Sequence, residues 1–495
     1  MPNHPDRKAA IALRLTTVFF PPIGLVLLWR SGRGVRKQLL GTAGILLYTF
    51  LYVGLIVFLL VRSGALLIEW RGGYLPALTR KRTAPDFEAL EENRARQAQT
   101  DSIKSSQGSA AYWNGFRGPA RDGRYDERPI LTKWPSSGLR LLWRQPCGGG
   151  YASFAVAEGL AFTIEQRRDN EVVAAYEVAT GREVWTQSWP GKFTEYYAGE
   201  GPRATPAYDD GKVFAVGAEG ELRCLEAKSG KEIWRKNIVR ENRGNTPTYG
   251  ISASPLIVGE KLIVLTSAGG GRSVVCYDKR DGRLLWSVLN DETGYASPML
   301  VTLAGVPQII VCAETRTVGL RVEDGEVLWE FAWRVQHNQL PIAQPVLLAT
   351  NRFMLSAGYF TGCTAFEVIK SDSAFATRRL WQNKNLKNKF TSSVFWEGHV
   401  YGLDEDILTC LDAWTGERKW KEGRYGYGQL LLASGHLVIL TGDGELALVK
   451  ATPDRHEEVG RFQAINGKTW NHPAIADGKI LVRNLAEMAC FEIGE

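Results

Sequence analysis

Methionine, histidine and cysteine are scarce in this chain, at 4, 6 and 7 of 495 residues, and the cysteines form no CxxC or CxxCH. Without those spacings a zinc knuckle and a c-type haem attachment are both unsupported. Charge of one sign is also missing from most of the chain. The formal charge is +7, but residues 1–111 hold 15 Lys+Arg against 7 Asp+Glu, which leaves 45 against 46 for residues 112–495. A nucleic-acid binder carries a basic stripe on its folded part to neutralise phosphates, so nucleic acid is not expected as a partner. A phosphate loop is lacking too, because Gly467–Thr469 (GKT) has Phe462 where the loop needs its first glycine. Glycine, in contrast, is plentiful at 52 residues, and with 44% hydrophobic residues the chain has both a large core and many tight turns.

Leu39–Val61 is 23 residues without a charge, long enough at 1.5 Å per residue to cross a bilayer of about 30 Å. It is expected to be a transmembrane helix. Leu15–Trp29 is a shorter apolar stretch broken by Pro21 and Pro22, a candidate first span. Arg30, Arg33, Arg36 and Lys37 between the two favour a cytoplasmic loop, which places the rest of the chain outside the cytoplasm. Residues 1–71 thus read as a membrane anchor. Residues 72–111 read as a linker, because residues 83–111 turn charged and rich in Gln and Ser, with few large apolar side chains.

Past the linker the sequence repeats. An acidic residue, then Gly four residues later, then Trp four residues after that recur in EVATGREVW (177–185), EAKSGKEIW (226–234), DKRDGRLLW (278–286) and DAWTGERKW (412–420). Weaker copies end at Trp329 and Trp381, Trp143 closes LRLLW, and Phe462 stands where another Trp falls due. The eight aromatic positions are 39 to 52 residues apart, a period of propellers and solenoids. Apolar runs broken by Asp-Gly, Glu-Gly and Gly-Glu turns precede each one, so every unit reads as four short antiparallel strands. The expected fold is all-β, an eight-bladed propeller over residues 112–495. Its last blade joins residues 473–492 to the strand 139–146, and such closure hides strand edges.

The repeat resembles the pyrroloquinoline-quinone-like propeller repeat, found in quinoprotein alcohol dehydrogenases and in the propeller lipoprotein of bacterial outer-membrane assembly. WNGFRGPARDG (113–123) and KWPSSGLRLLW (133–143) resemble a membrane-bound or exported bacterial subgroup. The resemblance implies that the motif residues Trp143, Trp185, Trp234, Trp286, Trp329, Trp381 and Trp420 dock against neighbouring blades. It also implies a choice of activities. The adjacent Cys-Cys pair that quinoprotein alcohol dehydrogenases carry beside their cofactor is absent, and Cys224, Cys276, Cys410 and Cys490 each occupy the same strand position in a different blade.

Alignment of the innermost strands yields one polar residue per blade: Ser153, Thr205, Ser254, Ser297, Gln344, Ser392, Gln429 and His472. Two residues earlier stand Tyr151, Arg203, Ser252, Tyr295, Ile342, Phe390, Tyr427 and Trp470, of which five are aromatic. These rings are expected to cluster at the mouth of the central channel. As a candidate ligand site, Tyr151, Arg203, Thr205, Ser254, Tyr295, Ser392, Tyr427, Trp470 and His472 offer aromatic faces, hydroxyls and a cation for a planar anion or a peptide, with Lys389 and Glu200 adjoining. As structure, the polar residues satisfy strand starts and the rings fill wedges between blades. No nucleophile with its base and no metal cluster is evident. The expectation is a bacterial, membrane-anchored propeller serving as a protein-binding or assembly platform in the cell envelope. It needs no catalytic residue, metal or cofactor, and its partners are the membrane and other envelope proteins. The alternative is a dehydrogenase with pyrroloquinoline quinone and calcium in the channel.

Overall fold

The computed structural model describes residues 21–30, 34–73, 75–98, 112–372 and 374–495. Two compact units are present: Met1–Glu69 with Pro76–Arg82, and Trp70–Leu75 with Thr83–Glu495.

In the first unit, Val35–Arg62 is a single helix of 28 residues, long and apolar enough to cross a membrane. Its apolar side chains are outward, Leu47 and Phe50 among them. A second helix covers Pro21–Arg30. Residues 15–20 of the expected short span lie outside the described residues. The two helices pack where Gly41 leaves room for Leu28, and Gln38 Nε2 donates to Trp29 O at 3.2 Å. Leu67–Glu69 and Ala77–Thr79 then pair antiparallel.

The second unit is an eight-bladed propeller. Blades 1 to 7 occupy residues 155–190, 207–237, 256–288, 299–332, 346–383, 394–424 and 429–463, each four antiparallel strands in chain order. Blade 8 takes three strands from Ala474–Glu492 and its outer strand from Leu141–Pro146, with Cys490 opposite Trp143.

The repeat has a simple physical cause. The motif Gly sits at positive φ, +75° at Gly181 and +70° at Gly230, conformations that glycine adopts without strain. A Cβ there would also lie 2.6 Å from Trp143 and 2.4 Å from Trp185, respectively. Each Trp therefore lies on the Gly turn of the next blade and donates its indole N–H to a carbonyl there, Trp143 to Val178 and Trp185 to Ala227, both at 2.8 Å. Trp234, Trp286 and Trp381 do the same with Lys279, Val322 and Ala413, and Trp420 reaches Thr452 O. Trp329 departs, bonding Gln308 of its own blade; the corresponding turn of blade 5 has no glycine, as is also true of the blade 7 turn that Trp420 nevertheless reaches. Opposite each Trp within its own sheet stands a small residue, Ala175, Cys224, Cys276, Gly319, Ala365, Cys410 or Cys490. The periodic cysteines are thus the space an indole needs, and all seven cysteines are buried thiols.

Two boundaries differ from the sequence expectation. The described part of the linker is not a free tether: Phe87–Ala98 is a helix that buries Leu90 and places Asn93 and Gln97 on Gln145 and Arg94 on Glu183 at 2.7 Å. Residues 112–131 form no blade. They run across the inner strands, where Trp113 O accepts from Val156 N, Asn114 O accepts from Tyr208 N, and Arg124–Tyr125 pairs parallel with the inner strand of blade 7.

Candidate functional site

The eight aligned polar positions form a continuous belt around the channel. The backbone N–H of Ser153 donates to Thr205 Oγ1 at 3.0 Å, that of Thr205 to Ser254 Oγ at 2.9 Å, and that of Ser254 to Ser297 Oγ at 2.9 Å. Ser297 N continues to Gln344 Oε1 and Gln344 N to Ser392 Oγ. Gln429 Nε2 then bridges Phe390 O and Trp470 O, and Ser153 Oγ closes the circle on His472 O at 2.5 Å. Every link joins neighbouring blades, and every belt residue is buried. Thr205 and Ser254 are therefore spent on blade-to-blade bonds.

Below the belt the channel is plugged. Arg117 Nη2 donates to Asp122 O and Ser393 O, both at 3.0 Å, and Nη1 reaches Ser392 O, Leu430 O and, at 2.8 Å, His472 Nε2. Arg121 donates to Ser254 O at 3.0 Å, Pro298 O at 2.8 Å and Pro255 O. Both arginines hold positive φ, 61° and 58°, and both are buried. Burial pulls their pKa values down to about 10 and about 9. Because Arg117 can only donate and Pro473 O only accept, His472 keeps its proton on Nδ1, and both ring nitrogens are occupied. Burial, then Arg117, holds the His472 pKa well below its ordinary value.

Above the belt lies a cup of about 560 Å³. Of the sequence candidates, Tyr151, Arg203, Tyr295, Ser392, Trp470 and His472 line it. Tyr151 and Trp470 stack at 5.5 Å, and Phe390 meets Trp470 at 4.6 Å and Tyr427 at 5.5 Å. Arg203 lies 4.9 Å over Phe193 and pairs with Glu195 at 3.1 Å, so its charge is answered within the wall; burial lowers its pKa. Lys468 Nζ sits 4.2 Å over Trp470 and donates to Ala198 O. Lys389 lines the cup, and burial lowers its pKa; Glu200 lies outside the lining.

Sequence reasoning missed the segment that walls the mouth. Trp70, Gly72 and Gly73 pack with the propeller and line the cup. Trp70 meets Tyr197 edge to face at 5.3 Å, Arg71 pairs with Asp443 at 2.5 Å, and Lys389 Nζ donates to Gly72 O at 2.5 Å. Gly72 has φ +94°, and a Cβ on it would lie 2.3 Å from the Tyr427 ring. Tyr249 and Tyr359 were also missed, Tyr359 because its backbone turns to φ +55° to place the ring. The only local signal was the Gly-Gly pair.

A quinone with its metal needs oxygen donors, and a dehydrogenase needs a carboxylate to take the substrate proton. No Asp or Glu lines the cup, and among the described residues no group of three or more His, Cys, Asp and Glu side chains is placed to hold a metal ion. The rings and cations suit a flat anion, but the donor set does not fit a metal-loaded quinone. A second depression, of about 730 Å³, lies between blades 1 and 2. There Arg223 stacks 4.5 Å over Trp189 and pairs with Glu221 and Glu232, while Glu171, its pKa raised by burial, accepts from Ala218 N and Trp189 Nε1.

A family model for outer membrane protein assembly factor BamB matches residues 168–422. The chain is 26% identical over 302 residues to outer membrane protein assembly factor BamB of Shewanella oneidensis, over 56% of this chain and 70% of that protein. It is 23% identical over 184 residues to the dehydrogenase subunit of a quinone alcohol dehydrogenase of Gluconacetobacter polyoxogenes, 35% of this chain but only 24% of that subunit. The crystal structure of BamB from Moraxella catarrhalis superposes with a TM-score of 0.52 at 15% identity, covering 72% of this chain and 99% of that one. Quinohemoprotein alcohol dehydrogenase from Comamonas testosteroni gives 0.55 at 13% identity, covering 82% and 85%. At these identities the structural likeness speaks of the fold alone.

Proposed function

The chain belongs to the BamB family of propeller proteins, and on that premise we propose that it is a protein-binding or assembly platform of the bacterial cell envelope. The helix Val35–Arg62 anchors it in the inner membrane, and the propeller stands on the periplasmic side, with other envelope proteins as partners. The observation that carries this reading is the way the channel's polar groups are used. The belt residues bond neighbouring blades, Arg117 and Arg121 close the floor on carbonyls, and no carboxylate lines the cup. A channel so committed supports binding by surface complementarity.

Two experiments test it. Photo-cross-linkers at Ile233 and Leu284, exposed on blades 2 and 3, are expected to give discrete, position-dependent adducts with envelope proteins in living cells. Saturable micromolar binding of pyrroloquinoline quinone with calcium to the full chain, followed by dye reduction with simple alcohols, would overturn the platform in favour of a dehydrogenase. That second reading draws on the aromatic and cationic walls of the cup. For sidedness, a membrane-impermeant thiol reagent is expected to label Ser105→Cys in intact cells once the outer membrane is permeabilised; labelling only after lysis of the inner membrane sinks the periplasmic placement.

A further inference from the structure

The segment Trp70–Gly73 is held in the cup's mouth as a peptide ligand is held, through one main-chain carbonyl, one ring and one cation. Lys389 Nζ donates to Gly72 O, the Trp70 ring lies against Tyr197, and Arg71 pairs with Asp443. Gly72 passes so close over Tyr427 that no side chain fits there.

This occupant leaves the site incompletely answered. The indole N–H of Trp70 and that of Trp470 are both buried without a hydrogen-bond acceptor, and both residues line a cup that still holds about 560 Å³. A buried donor without an acceptor costs free energy that any better-matched ligand recovers. Both orphans are donors, and Lys389, which donates to Gly72 O, is a further donor at the mouth, so what the cup's wall offers a ligand is donors in need of acceptors. No carboxylate lines the cup to supply them. A series of main-chain carbonyls in an extended segment fits this need, and the chain's own segment shows the geometry of entry.

From this we infer that the cup's mouth is a binding site for an extended peptide of a partner protein, one with an aromatic residue, a cation and paired glycines, and that Trp70–Gly73 is its built-in competitor. The incoming segment takes the Lys389 donor from Gly72 O, offers a carbonyl to Trp470 Nε1, and frees Trp70. This rests on the platform reading and names the chemistry of one partner.

The test uses the full chain in detergent micelles and a fluorescein-labelled peptide of the chain's own Ile68–Pro76 sequence, followed by fluorescence anisotropy. Gly72→Ala puts a methyl group into the Tyr427 ring and expels the competitor without touching a blade. The peptide is expected to bind Gly72→Ala at least ten-fold more tightly than the unaltered chain, and trypsin is expected to cut after Arg71 faster in the variant. Asp443→Asn, which removes only the Arg71 anchor, is expected to fall between the two. Adding Lys389→Ala to Gly72→Ala should abolish the gain. Equal affinity for the unaltered chain and both single variants, with unchanged cutting at Arg71, overturns the inference, as does absence of binding by Gly72→Ala whose thermal unfolding matches the unaltered chain. Neither result touches the cross-links at Ile233 and Leu284, so the peptide site and the platform fail separately.

Discussion

At the floor of the channel, Arg117 and Arg121 are enclosed by carbonyl groups from blades 3, 4, 6 and 7. At the mouth, the indole N–H groups of Trp70 and Trp470 find no acceptor. The two regions bury comparable chemistry for different ends. Where donors and acceptors are matched, the polar groups fix the arrangement of the blades; where donors are left over lies the peptide site inferred above. On this contrast, substitutions at the floor should alter stability and those at the mouth should alter binding.

The largest expected effect is at the floor. Arg121→Ala strips the donors from Ser254 O, Pro255 O and Pro298 O at once, and should lower unfolding stability by about 4 kcal/mol in urea titrations of the full chain followed by Trp fluorescence. One level up, Thr205→Ala leaves the buried N–H of Ser153 without an acceptor, for a loss of about 2 kcal/mol that Thr205→Ser should largely restore.

Acid separates floor from mouth in another way. The folded state keeps His472 neutral, while the unfolded state protonates it below its ordinary value of 6.5. Its contribution is therefore complete above pH 6.5 and falls as pH drops below that, by up to about 1.4 kcal/mol per pH unit. Carboxylates held low by hydrogen bonds and cations, such as Glu177 beside Arg182, lose theirs only below about their ordinary 4.5, whereas carboxyls raised by burial, such as Glu171, shift stability the other way as pH falls, so the histidine is read from the difference between the unaltered chain and His472→Gln between pH 6.5 and 5. His472→Gln should flatten that slope. The smallest effect on stability belongs to the mouth: Lys389→Ala removes one donor from a single carbonyl, Gly72 O, and should change unfolding by about 1 kcal/mol. A loss there as large as that of Arg121→Ala would erase the distinction between the two ends.

The blades were legible because the residues that define them act at short range and repeat. The Gly turn requires a positive φ, five of the seven motif Trp residues lie on such a turn in the adjacent blade, and the indole needs a small residue across the strand, so the constraints returned with the period. The eight polar belt positions were legible for the same reason, although their partners were not, since a serine hydroxyl at a strand start reads alike whether it meets water or the next blade. Arg117 and Arg121 occur once, outside the repeat, and their surroundings exist only after the blades have closed. Trp70 and Gly72 were harder still, because Trp70 meets Tyr197 while Gly72 meets Lys389 and Tyr427 more than 300 residues away, and no pattern links them. The hydrophilic make-up of residues 83–98 allows a solvated helix but does not show its docking, which uses side-chain amides and one arginine rather than an apolar stripe.

Blade 8 also sets a schedule. Leu141 must wait for Phe491, which lies 350 positions later in the chain, and at about 5 to 20 residues per second that wait lasts roughly 17 to 70 seconds. Throughout it the strand Leu141–Pro146 presents an unpaired edge, and seven blades accumulate without a ring to hold them. The interval belongs to biosynthesis rather than to the finished molecule, and until it ends that edge is open to pairing with any other strand.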